Sequence, residues 1–147
     1  MEIFQFIAVL SCTLFTGAAI YINLVEHPAR MLQDTQTAAM VWAPSYKRAT
    51  VMQASLAVIS TLSGLAAAYF SGQWLWAMAA LVIGAVVPFT LIVIMPTNQL
   101  LLAPGRDLAS AETRDLLEKW ARLHAVRSGL GLLASVIYVV LTVGGVD

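Results

Sequence analysis

IFQFIAVLSCTLFTGAAIYINLV, residues 3–25, runs without one charged side chain; EHPAR, residues 26–30, then brings an acid, an imidazole, a proline and a guanidinium together. About 20 apolar residues, rising 1.5 Å each, cross the ~30 Å hydrocarbon core of a bilayer. The first stretch therefore reads as a membrane span, and the second as the place where the chain leaves it. Three more blocks of the same character follow, at about 49–70, 74–95 and 125–143, and Arg127 is the only charged residue within them.

Composition agrees. Of 147 residues, 60% are hydrophobic and 11% are charged, whereas a water-soluble domain carries about 25% charged residues. No ten-residue alternation of apolar and polar positions recurs, which argues against a β-barrel. The sequence predicts an all-α fold, an integral membrane four-helix bundle in one domain over residues 1–147. The N-terminal MEIFQ has an acid and no base, and its apolar run is longer than a signal peptide's core, so it is expected to stay as a mature helix. The single cysteine, Cys12, lies inside that helix, has no intrachain partner, and says nothing of redox compartment.

Charge sets the expected topology. The short SGQ turn at 71–73 makes a hairpin of the second and third helices, so residues 26–48 and 96–124 share one membrane face. All eight Lys and Arg residues belong to that face, including Arg30, Lys47, Arg48 and Arg127. Lys and Arg are retained on the cytoplasmic side. The expectation is a multi-pass protein of a bacterial-type inner (plasma) membrane with both termini outside. The net charge of zero gives no reason to expect nucleic acid. Expected partners are the lipid bilayer and a hydrophobic small molecule, and a homo-oligomer is compatible with four short helices.

The two inner segments differ. Residues 26–48 read as a loop whose Trp42 and Tyr46 suit the headgroup interface. In the other, Pro104-Gly105 marks a turn, Ser110 is a candidate N-cap, and Glu112 suits the positive helix end. From there one helix is expected over 111–143, its first third extended into the cytoplasm, with Glu118 and Arg122 paired at i, i+4. Small residues spaced by four, Ser60, Gly64 and Ala68 in one helix and Gly131 and Ser135 in another, allow close packing where lipid removes the hydrophobic drive. Pro88 deprives the Gly84 carbonyl of its donor and predicts a kink.

Polar residues inside such helices are the candidates for function. Thr16, Asn23, His27 and Arg30 fall on one stripe, and Glu26 can pair with Arg30 if the helix survives Pro28. Trp120, His124, Arg127 and Gly131 form a second stripe, and the third helix ends with Thr97 and Asn98 at the same face. Both histidines of the chain thus gather at one end of the bundle, each with an arginine. Taken alone, NLVEHPAR reads as simple helix termination; convergence from three helices favours a site.

YINLVEHPAR, PTNQL and KWARLHAVRSGLG, in this order and spacing, resemble the anthrone oxygenase-like family, small four-helix membrane proteins. The resemblance covers essentially the whole chain, and the matched positions are Glu26, His27, Pro28, Arg30, Asn98, Trp120, His124 and Arg127. It implies oxidation of an anthrone-like molecule by molecular oxygen with no cofactor, neither metal nor flavin. In that reading His124, Arg127, His27 and Asn98 are catalytic, and Trp120, Asn23, Glu26 and Arg30 bind substrate. Histidine titrates near neutrality and suits a general base, and an arginine or amide suits a developing oxyanion. Two rival readings use the same residues. One is a haem- or transition-metal-binding protein with His27, His124 and Glu26 as ligands; the other is an accessory or lipid-binding membrane protein with no chemistry.

Overall fold

The computed structural model describes residues 1–144, and among these the regular structure is entirely helical. Four rods, each apolar and long enough to cross a membrane, make up the fold: α1 (Glu2–Met31), α2 (Thr35–Ser71), α3 (Trp74–Leu101) and α4 (Ala111–Val143). The chain is a multi-pass membrane bundle. They follow an up-down order in which α1 packs on α2 and α4, and α3 packs on the same two. Outward positions carry large apolar side chains such as Leu62, Ile92 and Val140, as lipid contact requires.

The helix ends depart from the sequence expectation at three places, each for a visible reason. α1 does not stop at Val25: it continues through Pro28 to Met31 by winding residues Ile22–Glu26 as a π-helix, in which the His27 N–H reaches the Ile22 carbonyl. α3 does the same, with Thr90–Ile94 as a π-helix and Pro96 two residues beyond it. A proline within a helix removes one donor and crowds the carbonyl four residues back, and the wider turn relieves that crowding. The third departure is larger. α2 begins at Thr35, not 49, and takes in most of the expected loop, with Pro44 inside it. Asp34 caps it, accepting from the Thr37 N–H at 2.9 Å and the Thr37 hydroxyl at 2.7 Å, and these bonds hold its carboxyl below the ordinary range.

The early start of α2 changes the place of its aromatic residues. Trp42 is 1% exposed and packs inside, not in the headgroup region, with its ring stacked on Tyr46 at 4.9 Å. The first third of α4 is correspondingly not a free projection. Leu116, Leu117 and Trp120 are buried against Ala38, Ala39 and Trp42, and Arg114 donates to the Met31 carbonyl at 2.8 Å, tying α4 to the end of α1. Ser110 caps α4 through the Thr113 N–H at 3.2 Å. Glu118 pairs with Arg114, at 4.0 Å, rather than with Arg122; either lies one turn away. Near Pro88 the α-helical ladder of α3 is interrupted at Ala85.

A second core fills the other end of the bundle, around Phe15, Trp76, Ile83 and Tyr138. Close helix approach occurs at the small residues: a Cβ added to Gly64 would lie 2.0 Å from the Tyr138 hydroxyl, and one on Gly131 would lie 2.8 Å from Thr16 Oγ1. Thr16 and Ser135 hydroxyls hydrogen-bond across α1 and α4 at 2.9 Å. Gly72 at φ 73 closes α2 in the left-handed conformation and makes the tight hairpin to α3.

Candidate functional site

The proline-bearing ends of α1 and α3 and the matching parts of α2 and α4 enclose a polar region inside the bundle. His27, Arg30, Asn98, Trp120, His124 and Arg127 are all buried there. Three linked arrangements can be distinguished.

The first is built on α1. Arg30 forms an ion pair with Glu26, one turn earlier, and donates to Ser45 Oγ of α2 at 3.3 Å; Ser45 in turn donates to Glu26 at 2.5 Å. Arg30 also meets His27 Nδ1 at 3.2 Å. A guanidinium has only donors, so Nδ1 must be the unprotonated nitrogen and the imidazole proton sits on Nε2, which lies toward the Leu117 backbone without a well-formed hydrogen bond. The basic lone pair of His27 is therefore occupied.

The second arrangement leaves a lone pair free. Asn23 Nδ2 donates to the Ala121 carbonyl at 3.0 Å, which fixes the amide's orientation. Its Oδ1 then accepts from Ser128 at 2.6 Å and from His124 Nδ1 at 2.7 Å. With the proton on Nδ1, His124 carries its lone pair on Nε2. This is the base-plus-orienting-partner pattern of nucleophilic and acid–base sites, with a carbonyl oxygen as the partner.

The third concerns Arg127. It is 7% exposed, and the ion pairs among the described residues do not include it. Its contacts are a hydrogen bond to Gln53 Oε1 at 3.0 Å and the Phe15 ring at 5.6 Å. An arginine at membrane depth costs about 3 kcal/mol on insertion scales, and no carboxylate among the described residues offsets that cost here. A cavity of about 10 Å³ lies beside it, bordered by Arg30, Trp42, Gln53, Trp120, His124 and Arg127, with space for one oxygen-sized group. A second cavity, of about 100 Å³, adjoins it between α2 and α3 and shares Tyr46, Thr50, Gln53 and Arg127.

Against the sequence expectation, the shared cavity holds His124, Arg127, Trp120 and Arg30, but not His27, Asn98, Asn23 or Glu26. Asn98 sits behind it, donating to the Tyr46 hydroxyl at 3.0 Å. The imidazoles do not meet directly; each lies against Trp120, at 5.3 Å for His27 and 4.8 Å for His124. As for a metal, no three His, Cys, Asp or Glu side chains converge among the described residues, and Glu26 and His27 Nδ1 are both engaged by Arg30. Sequence reading missed Gln53, Ser45 and the inward role of Tyr46. Gln53 had a signal, since a lone amide within an apolar span is the same feature that singled out Asn23.

Fold and site together define a small membrane four-helix protein with a buried imidazole and guanidinium near one end. Residues 42–137 match the anthrone oxygenase family. An anthrone oxygenase of Claviceps purpurea is 27% identical over 146 residues, covering 89% of this chain and 83% of that protein. Anthrone oxygenase tpcL of Aspergillus fumigatus is 32% identical over 143 residues, covering 90% and 89%. The chain belongs to the anthrone oxygenase family. No solved structure matches it.

Proposed function

We propose that the protein oxidises a hydrophobic aromatic, anthrone-like molecule with molecular oxygen and no cofactor, using His124 as base and Arg127 as anion receptor. The observation that supports this reading is the buried Arg127 without a carboxylate, one turn from an imidazole whose Nε2 is free. An anthrone has an acidic methylene across one ring from its carbonyl. His124 and Arg127 stand at i, i+3, where Cβ atoms are about 5–6 Å apart, so one side chain reaches the methylene while the other holds the oxygen.

The step balances as CH₂ + O₂ → C=O + H₂O. His124 Nε2 removes a methylene proton, and Arg127 stabilises the enolate oxygen that results. The electron-rich enolate gives one electron to oxygen, and the radical pair combines to a peroxide at the former methylene carbon. His124 gives that first proton to the peroxide anion, making a hydroperoxide; its freed Nε2 then removes the second C–H proton as the O–O bond breaks, which leaves the ketone, and this second proton joins the departing hydroxide as water. His27, whose lone pair is held by Arg30, has a supporting part: with Arg30 it braces Trp120 beside the base. The topology that goes with this reading has the site near the cytoplasmic face, following the distribution of Lys and Arg.

Oxygen uptake by purified protein with anthrone tests the assignment. His124→Ala should lose a factor of about 10² to 10⁴ in rate, Arg127→Lys should also be damaging because a point charge cannot replace a planar fork of donors, and His27→Ala should be milder. Equal activity in His124→Ala and the parent protein would sink the assignment. Loss of a bound metal in step with activity would hand the site to the metal-binding reading.

A further inference from the structure

The buried polar atoms that lack partners share one chemical bias. Among the described residues they are Nε2 of His27 and Gln53, Nε of Arg30 and Arg127, Nε1 of Trp42, and Oδ1 of Asn98. All but the last are nitrogens bearing a proton, given the His27 tautomer fixed by Arg30. Four of them belong to residues that border the inner cavity: Arg30, Trp42, Gln53 and Arg127. Unsatisfied buried donors are costly and rare in native proteins. Donors gathered on four residues around one small space call for a hydrogen-bond acceptor there.

Gln53 is the member shared most informatively. It is 1% exposed, and its Oε1 must face Arg127, because a guanidinium can only donate; Nε2 is thereby turned away with no acceptor of its own. Gln53 and Arg127 also border the larger cavity between α2 and α3. The other walls of that cavity are chiefly apolar, with Ala57 and Val86 buried at the back and Leu91 exposed toward lipid. At about 100 Å³ it takes the edge of a flat ring system while the rest lies against the lipid-facing groove.

We propose that Gln53 anchors the substrate: a flat, apolar molecule enters sideways from the bilayer between α2 and α3, edge first, and its leading acceptor oxygen is held by Gln53 Nε2 beside Arg127. The proposal rests on the oxygenase reading for the identity of the molecule, but it assigns a recognition residue, an entry route and a chemical requirement of its own. The entering edge must offer an acceptor oxygen; an amine or a bare hydrocarbon edge leaves the donors unpaired.

Binding, measured apart from turnover, provides the test. Anthraquinone offers keto oxygens and no donor, and anthracene has the same three-ring frame without oxygen. Trp42 and Trp120 border the inner cavity, so quenching of tryptophan fluorescence in the purified full chain reports occupancy. The parent protein should bind anthraquinone more tightly than anthracene. Gln53→Leu, close to isosteric, should weaken anthraquinone about tenfold, the worth of one good hydrogen bond to an anchored group, and leave anthracene unchanged. Val87→Trp, which fills the groove on the α3 side, should weaken both probes. No preference for anthraquinone, binding of neither probe, or an equal effect of Gln53→Leu on both would overturn the proposal. Oxygen uptake with anthrone is measured on the same samples: turnover without an oxygen preference removes Gln53 as anchor and spares the oxygenase reading. A selective Gln53→Leu effect without any turnover does the reverse.

Discussion

Replacing Asn23 by leucine tests whether His124 works because of how it is held. Asn23 lies 101 positions away in sequence and makes three hydrogen bonds: its Oδ1 accepts from His124 Nδ1 at 2.7 Å and from Ser128 at 2.6 Å, and its Nδ2 donates to the Ala121 carbonyl at 3.0 Å. Leucine keeps the volume and removes all three. An orphaned buried donor costs about 1–3 kcal/mol. The imidazole can escape that cost by moving its proton to Nε2, the nitrogen that the proposed mechanism needs free to accept one from substrate. The competent tautomer is then disfavoured by about 5- to 150-fold, and kcat should fall within that range. KM should change little, since Asn23 does not border the cavity. Asn23→Asp retains an acceptor for His124 and Ser128 and should lie nearer to the parent protein. The assay is oxygen uptake in detergent, with helical content checked by circular dichroism. A folded Asn23→Leu protein with unchanged kcat would refute the orienting role, and an Asn23→Asp variant as impaired as Asn23→Leu would show that the acceptor at Nδ1 is not what matters.

Two other expectations concern the scaffold. Gly64→Ala sets a methyl group 2.0 Å from the Tyr138 hydroxyl and 2.9 Å from Ala80 Cβ, so α2 must move from its neighbours at a cost of about 1–3 kcal/mol; an unchanged thermal midpoint in detergent would mean that the contact is looser than described. Reporter fusions should put the N-terminus outside and the Pro104-Gly105 turn in the cytoplasm. A cytoplasmic N-terminus would reverse the charge argument.

The four spans were legible because lipid permits few solutions: an uncharged stretch of this length has to close its backbone hydrogen bonds within itself. The facing stripes were legible as well, since His27 and Arg30, and then Trp120, His124 and Arg127, repeat at helical spacing. What could not be read was where helices stop once they leave the apolar zone. Residues 35–48 carry Pro44, Lys47 and Arg48 and look like a loop, yet the Asp34 cap and the covering surface of α4 keep them helical. Burial also claims Arg30 and Arg127, so two of the eight basic residues counted toward the topology lie inside the bundle. Partner choice was hidden for a different reason. Whether Asn23 faces substrate or His124 depends on the rotation of α1 against α4, and Gln53 gains meaning only when Arg127 comes to it across the bundle.

The paired π-helical turns have a consequence for how this chain tolerates changes of length. Each residue added to or removed from a helix carries everything beyond it through about 100°. Deleting one position within Ile22–Glu26 would leave the apolar span long enough for the membrane and the distant Phe15–Tyr138 core untouched, yet would swing His27 and Arg30 from the interior toward the lipid. The stretch Thr90–Ile94 stands in the same relation to Asn98. The two widened turns therefore act as phase settings. Spanning the bilayer is insensitive to them, while the aim of the polar end is fixed by a single residue's worth of rotation in each.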